Sequence, residues 1–258
     1  MKFLTLLETS KEAIEMVNEA PENYHKIVKL FNRYCRSTIR ILVVGESGTG
    51  KSQFLSTVCK KKEFVSDSTM VSYPCLLELP NGRMVEFIDT PGQQSLEPER
   101  KRSIKDITRK KYSGIINLVC YGYQATEETE TSLVFQGDVI RESYLKDNRE
   151  KELKQLEEWL SEIDKDSNVQ WVLTIINKAD VWWEMKDDVV SYYNDTKYGA
   201  KLKELARVSK TEVLPYCSVI APFCHKPMKL VFSEKEKYAL HCRLCSELKK
   251  LTDQEWPK

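Results

Sequence analysis

The 258-residue chain has no surplus of either charge: forty Lys and Arg stand against 39 Asp and Glu, a net charge of +1. Bulk electrostatics therefore single out no class of partner. No apolar run approaches the ~20 residues that span a bilayer, so no transmembrane segment is expected. The opening Met1–Leu7 is too short for a secretory h-region and meets Glu8 at once, which points to the cytoplasm. Without a secretion signal, the eight cysteines do not read as a disulfide framework. Internal repeats and low-complexity segments are missing as well. What remains is one large domain, with or without a short appendage, long enough to bury a full core.

The sharpest metal-like grouping is Cys242-x-x-Cys245 beside His241, with Cys224-His225 upstream. It falls inside Ser233–Leu251, which reads as a helix with a Ser233-x-x-Glu236 capping box. Leu240, Leu244, Leu248 and Leu251 form its apolar stripe, and Cys245 lies next to it as a small hydrophobe would. The helix reading is preferred to a zinc site.

The most informative stretch is Gly45-Glu46-Ser47-Gly48-Thr49-Gly50-Lys51-Ser52, directly after the apolar run Ile41–Val44. Small residues in such a turn let successive backbone N–H groups converge on an anion, at the positive end of the following helix. Lys51 is placed to reach the outer phosphates and Ser52 to ligate Mg²⁺. Gln53–Val58 is helix-compatible and completes the strand–loop–helix context. This is a nucleoside triphosphate cradle.

Residues 9–36 predict a helical extension, broken at Pro21 and packed on the domain that follows. From Arg40 onward strands and helices alternate, which predicts an α/β sheet with helices on both faces. The expected strands are Arg40–Val44, Tyr73–Leu79, Arg83–Ile88, Gly114–Tyr121, Val169–Ile176 and Thr211–Cys217. Pro80-Asn81-Gly82 signals a hairpin, so the six-stranded sheet is mostly parallel with one antiparallel strand. Pro215 points to a sheet edge. Leu153, Leu156, Trp159, Leu160 and Ile163 mark one face of an amphipathic helix. Residues 122–148 read as a long connection carrying Glu127, Glu128 and Glu130, the place for a partner contact.

Two further motifs close strands. Asp89-Thr90-Pro91-Gly92-Gln93 lies 37 residues after Ser52. Its carboxylate can hold Mg²⁺ and the Gly92 N–H can approach a γ-phosphate; an ordinary turn would share the same letters. Asn177-Lys178-Ala179-Asp180 follows the strand ending at Ile176. A carboxylate there can accept both guanine donors, the ring N–H and the exocyclic amine, a pair adenine lacks. Asn177 can brace the loop, and the stem of Lys178 can lie over the base. Each motif sits at a strand end, where α/β folds bind ligands.

With these three motifs in order, the chain resembles a P-loop GTPase of the translation-factor-related class, with a Ras-like G domain. The resemblance implies a three-layer P-loop NTPase fold over residues 38–258, preceded by the 1–37 extension. It implies a GTP/GDP ligand with Mg²⁺ as cofactor, GTP hydrolysis, and a switch whose GTP form engages a protein effector. The switch threonine it implies is Thr69, with Ser66, Ser68 and Ser72 as competitors. Its last base-contacting loop falls at Cys217-Ser218-Val219, where the family's Ser-Ala is altered, so Ser218 takes that place. Gln93 stands at the catalytic glutamine position, with Gln94 one register away. Ser47 replaces the glycine that tolerates a partner's arginine finger in Ras-like proteins. The Gly-Glu-Ser-Gly-x-Gly-Lys-Ser loop with Asp-Thr-Pro-Gly is similar to septins and to Era-like and immune-associated GTPases. The chain ends too soon after its last helix for the septin interface element.

Arg100-Lys101-Arg102, Lys105 and Arg109-Lys110-Lys111 read as a solvated helix face, with contact to RNA, an acidic partner or an anionic surface as the second reading. Trp182-Trp183 reads as core packing ahead of a cap on the base pocket. The alternative function is a slow-turnover assembly module whose nucleotide stabilises a G-domain homodimer; an ATPase is the third, opposed by Asp180.

Overall fold

The computed structural model describes residues 39–59, 74–78, 84–90, 98, 113–162, 169–204, 210–226 and 231–253. The expected N-terminal helices, Thr69, Gly92, Gln93, Gln94 and the 100–111 basic stretch lie outside the described residues. The chain divides into two compact units, Met1–Ile39 with Leu76–Glu86, and Arg40–Cys75 with Phe87–Lys258.

The described elements are β1 (Ile39–Val44), α1 (Lys51–Cys59), β2 (Pro74–Glu78), β3 (Met84–Asp89) and β4 (Ser113–Val119). Then come α2 (Thr131–Val134), β5 (Phe135–Gln136), β6 (Val139–Ile140), α3 (Glu142–Glu162) and β7 (Val169–Ile176). The last are α4 (Ala179–Trp182), a 3₁₀ turn (Trp183–Met185), α5 (Lys186–Asp195), α6 (Lys197–Glu204), β8 (Lys210–Pro215) and α7 (Glu234–Asp253).

In the larger unit the strands lie in the order β3-β1-β4-β7-β8. The β1–β4, β4–β7 and β7–β8 ladders are all parallel. Leu76–Glu78 of β2 and Met84–Glu86 of β3 fall in the smaller unit, where β2 neighbours β3. The Pro80-Asn81-Gly82 hairpin expected between them lies outside the described residues. β8 ends the sheet, as Pro215 foretold.

Burial explains the strand compositions. β1, β4 and β7 are interior strands, and Ile41, Leu42, Val43, Ile115, Ile116, Leu173, Ile175 and Ile176 are fully buried. Strands covered on both faces read as continuous apolar runs rather than alternation. Gly114 stands opposite Trp171, and a Cβ there would come within 2.1 Å of the indole. Asn117, a buried amide within β4, donates to the Tyr198 hydroxyl at 2.8 Å and to Thr174 Oγ1 at 3.3 Å. A buried amide without such partners would be costly.

The helices bury one face each. α1 buries Phe54, Leu55 and Val58, and Phe54 meets Tyr216 edge-on at 5.4 Å. Leu156 and Trp159 anchor α3, with Leu153 and Leu160 packed against the core. Truncating Leu156 to alanine would cost about 2–5 kcal/mol. α7 buries Leu240, Leu244, Leu248 and Leu251, and its capping box is formed: the Ser233 N–H donates to Glu236 Oε2 at 2.6 Å. Cys242 and Cys245 sit on the exposed side of this helix. Cys59 is disulfide-bonded, which the composition did not lead one to expect.

Several element ends differ from the sequence expectation, β8 among them, which stops at Pro215 rather than Cys217. β4 stops at Val119, and Tyr121 turns into the left-handed region at φ 55°. The 122–148 connection is largely structured. α2 leads into the β5–β6 hairpin, which turns at Gly137 (φ 64°), and α3 already begins at Glu142. Strands of two residues and a helix of one turn carry too little periodicity to be legible. No helix among the described residues is long and apolar enough to cross a membrane.

Candidate functional site

The site is built at the C-terminal ends of β1, β3, β4, β7 and β8, within the larger unit. Its first wall is the loop between Val44 and Lys51. Gly48 and Gly50 both have positive φ, 75° and 89°. A Cβ on Gly50 would also stand 2.8 Å from Asn177 Nδ2, so this position needs glycine twice over. Thr49 Oγ1 donates to the Glu46 carbonyl at 2.8 Å, and the Ser47 N–H donates to Glu46 Oε1 at 3.2 Å. Lys51 is buried, and its Nζ donates back to the carbonyls of Gly45 and Glu46 at 2.8 and 3.2 Å. Ser52 and Gln53 occupy the first turn of α1, where free N–H groups and the helix dipole favour an anion.

Asp89 ends β3 and is 1% exposed. Thr90 fastens that end to β1: its N–H and Oγ1 donate to the Val43 carbonyl at 3.2 and 2.9 Å. Burial pushes the Asp89 carboxyl up to about 6; the Lys51 ammonium and the Thr90 N–H offset part of that rise. Asp89 Oδ1 is buried with no hydrogen-bond partner among the described residues. An orphaned carboxylate oxygen next to a phosphate-type loop fits a hard divalent cation, with the Ser52 hydroxyl as the second protein oxygen.

The second wall is assembled from distant segments. Asn177 continues the chain out of β7, and its N–H donates to the Val119 carbonyl at 2.7 Å. Its Nδ2 donates to the Thr49 carbonyl at 3.0 Å, and its Oδ1 accepts the Ser218 N–H and hydroxyl at 3.1 and 3.0 Å. One asparagine thus ties the phosphate loop to the loop after β8. Trp182, 1% exposed, donates its indole N–H to the Asn177 carbonyl at 2.8 Å, so it is core and brace rather than cap. Thr57 of α1 donates to the Ser218 carbonyl at 3.3 Å.

Lys178 adopts φ 59°, uncommon for a residue other than glycine. Its Nζ donates to the carbonyls of Gly48 and Tyr123 at 2.7 and 2.8 Å. Burial pulls its ammonium below the usual lysine value. Asp180 is 7% exposed; its Oδ1 accepts the Cys217 thiol at 3.5 Å and its Oδ2 the Ala221 N–H at 3.3 Å. Burial raises the Asp180 pKa, and the Ala221 and Cys217 donors partly offset it. Each oxygen keeps a lone pair for a further donor.

Gly45 through Gln53, Asp89, Asn177, Lys178, Asp180 and Ser218 therefore converge. Thr69, Gly92 and Gln93 lie outside the described residues. The sequence reading missed Tyr123, Ala125 and Ala221, and named Cys217 only as part of its last base-contacting loop. Ala125 donates its N–H to the Gly48 carbonyl at 3.3 Å, and Tyr123 and Ala221 likewise act through backbone atoms. A backbone contact leaves no residue-type signal to find.

Residues 39–133 match the family model described as the AIG1 family. Over 74 residues the chain is 38% identical to immune-associated nucleotide-binding protein 12 of Arabidopsis thaliana, covering 27% of this chain and 19% of that protein. Over 104 residues it is 32% identical to the tRNA modification GTPase MnmE of Malacoplasma penetrans, covering 39% and 21%. The chain thus spans about a fifth of the length of these curated relatives. A chain of the signal recognition particle receptor SRb-GTP/SRX complex from Chaetomium thermophilum aligns with TM-score 0.46 and 14% identity, covering 80% of this chain and 98% of that one. The sheet, the phosphate loop and the two sequence relatives define the class: this is a P-loop GTPase of α/β G-domain architecture. Within that class, the AIG1 likeness covers the phosphate end of the site and stops before Asn177.

Proposed function

We propose that this chain binds GTP with Mg²⁺ and hydrolyses it to GDP, acting in the cytoplasm as a switch whose GTP form engages a protein effector. The observation that carries the reading is the double bond set of Asn177, on Thr49 of the phosphate loop and on Ser218. It joins a triphosphate cradle to a buried carboxylate suited to guanine.

The residue roles follow from charge and reach. Backbone N–H groups of residues 47–52 cradle the phosphates, and Lys51 exchanges the Gly45 and Glu46 carbonyls for phosphate oxygens. Asp180 reads the guanine edge while Lys178 covers the face of the base. Ser52, Asp89 and Thr69 would hold Mg²⁺, which neutralises charge on the β- and γ-phosphates when bound. Gly92 senses the γ-phosphate, and Gln93 orients the attacking water. Phosphoryl transfer asks mainly for such positioning and charge stabilisation.

Competition binding of GTP, GDP and ATP to the full chain tests the ligand. GTP and GDP should displace a labelled guanine nucleotide while ATP does not; equal displacement by ATP overturns the reading. Gln93→Leu should keep GTP affinity while slowing single-turnover hydrolysis on the order of a hundredfold. An unchanged rate would move the role to Gln94 or to a partner.

A further inference from the structure

One buried carboxylate holds the turn after β4 from behind. Glu152 lies midway along α3 and is 2% exposed. Its Oε1 accepts the Cys120 N–H at 2.9 Å, the Gly122 N–H at 3.4 Å and Gln124 Nε2 at 3.0 Å. Its Oε2 accepts the Tyr193 hydroxyl at 2.5 Å, and that hydroxyl oxygen accepts the Tyr121 N–H at 2.8 Å. Asn148, one turn earlier on α3, donates to the Gly122 carbonyl at 3.0 Å. Gly122 has φ 84°, and a Cβ on it would come within 2.3 Å of the Leu145 carbonyl. The turn is therefore seated on α3, with the Cys120 and Gly122 amides gathered onto Glu152 and the Tyr121 amide onto its partner Tyr193.

The far side of the same turn reaches the site. The Tyr123 carbonyl accepts Lys178 Nζ, and the Ala125 N–H donates to the Gly48 carbonyl. A buried carboxylate is an expensive way to connect a strand to a helix, because well-packed apolar residues stabilise as well or better. What a hub of directed bonds supplies is a fixed geometry. That matters here because Lys178 has a left-handed backbone, and the carbonyls that hold its ammonium among the described residues, those of Gly48 and Tyr123, are both governed by this turn.

We infer that Glu152, touching no ligand itself, is a positioning residue for guanine nucleotide: through residues 120–125 it sets where Lys178 and Gly48 stand. The inference rests on the GTP-binding reading and names the device that makes retention of the nucleotide tight. Tyr193 is its second member, since its hydroxyl links Glu152 to Tyr121.

The test is release of N-methylanthraniloyl-GDP from the full chain and its variants. Glu152→Gln keeps the shape but removes the charge and one acceptor, and should speed release about tenfold, the equivalent of one lost hydrogen bond to a charged group. Tyr193→Phe keeps the ring and should speed it severalfold, so the inference stays testable if Glu152→Gln folds poorly. Leu156→Ala, a core truncation one turn along the same helix, should lower thermal stability and leave release at the parent rate. In combination with Lys178→Ala, Glu152→Gln should add nothing, because both act on one contact. Parent-like release in both network variants, acceleration by Leu156→Ala equal to that of Glu152→Gln, or multiplying factors in the double variant would each overturn it. Failure of the parent to bind GDP in direct titration would instead remove the nucleotide reading, and is seen before any variant is compared.

Discussion

In the proposed GTP site the phosphate end rests chiefly on one run of eight residues, Gly45–Ser52, whereas the base end is collected from four separated places. Those are the turn after β4, the Asn177–Asp180 segment, the loop after β8 and, behind them, α3. At the phosphate end the binding groups are backbone amides fixed by glycine geometry and a helix start. At the base end they are side chains whose positions depend on one another: Asn177 on Ser218, Lys178 on Tyr123, Asp180 on Cys217 and Ala221. A local device tolerates change elsewhere in the chain. A dispersed one transmits it.

Substitutions can break this contrast. The largest effect is expected from Asp180→Asn, which removes up to two charge-assisted bonds to guanine at ~1.5–3 kcal/mol each. Asparagine presents one acceptor and one donor, so the exocyclic amine of guanine meets an N–H, while the carbonyl of xanthine at that position finds a partner. Competition with GTP and xanthosine triphosphate should show GTP weakened and xanthosine triphosphate gaining, with phosphate binding intact. An unchanged order would mean that Asp180 does not read the base.

Next is Asp89→Asn. The folded pKa of Asp89 is raised from 3.8 to about 6 by burial, so this group favours the nucleotide-free fold fully below pH 4 and loses that contribution as pH rises through about 6. The loss amounts to roughly 3 kcal/mol at one pKa unit per 1.36 kcal/mol. The variant should therefore be more stable than the parent at pH 7.5 and show a flatter stability curve between pH 4 and 6. It should also lose the Mg²⁺ dependence of GTP affinity. Chemical denaturation across that range, without nucleotide, checks the first part; titration with and without EDTA checks the second.

Lys51→Ala should weaken triphosphate binding by ~1.5–3 kcal/mol and leave the preference for guanine over adenine unchanged, since it acts at the local end. Calorimetric titration with GTP and ATP separates the two quantities. The smallest effect belongs to Ser218→Ala, which deletes one of the two bonds from Ser218 to Asn177 and should cost about 1 kcal/mol of guanine nucleotide affinity. If the bridge couples the two ends, it should also weaken binding of inorganic triphosphate; an effect confined to guanine nucleotides would confine Ser218 to the base end.

The legibility of the site follows the same division. The order of strands and motifs was readable because buried parallel strands give unbroken apolar runs, and because Gly48, Gly50 and Lys51 answer to demands set within their own loop. Asn177 and Asp180 were readable as a short motif, but their supports were not. Cys217 supplies a thiol donor to Asp180 that no motif announced, and Ala125 contributes only its amide. Glu152 looked like any charge on an amphipathic helix, since periodicity cannot tell a solvated glutamate from one turned inward. The short hairpin at 135–140 was read as loop, because two-residue strands show no alternation.

Pro215 at the outer strand has a consequence for how copies of this chain meet. The Tyr216 N–H points inward to the Ile176 carbonyl, so the nitrogen of the preceding residue faces away from β7. Proline there costs the sheet no bond, yet deletes one donor from the row that a foreign strand would use as a template. Lys210 and Glu212 add charge along the same strand. Runaway edge-to-edge aggregation is thereby discouraged at β8, and any ordered pairing of two molecules is left to their other faces.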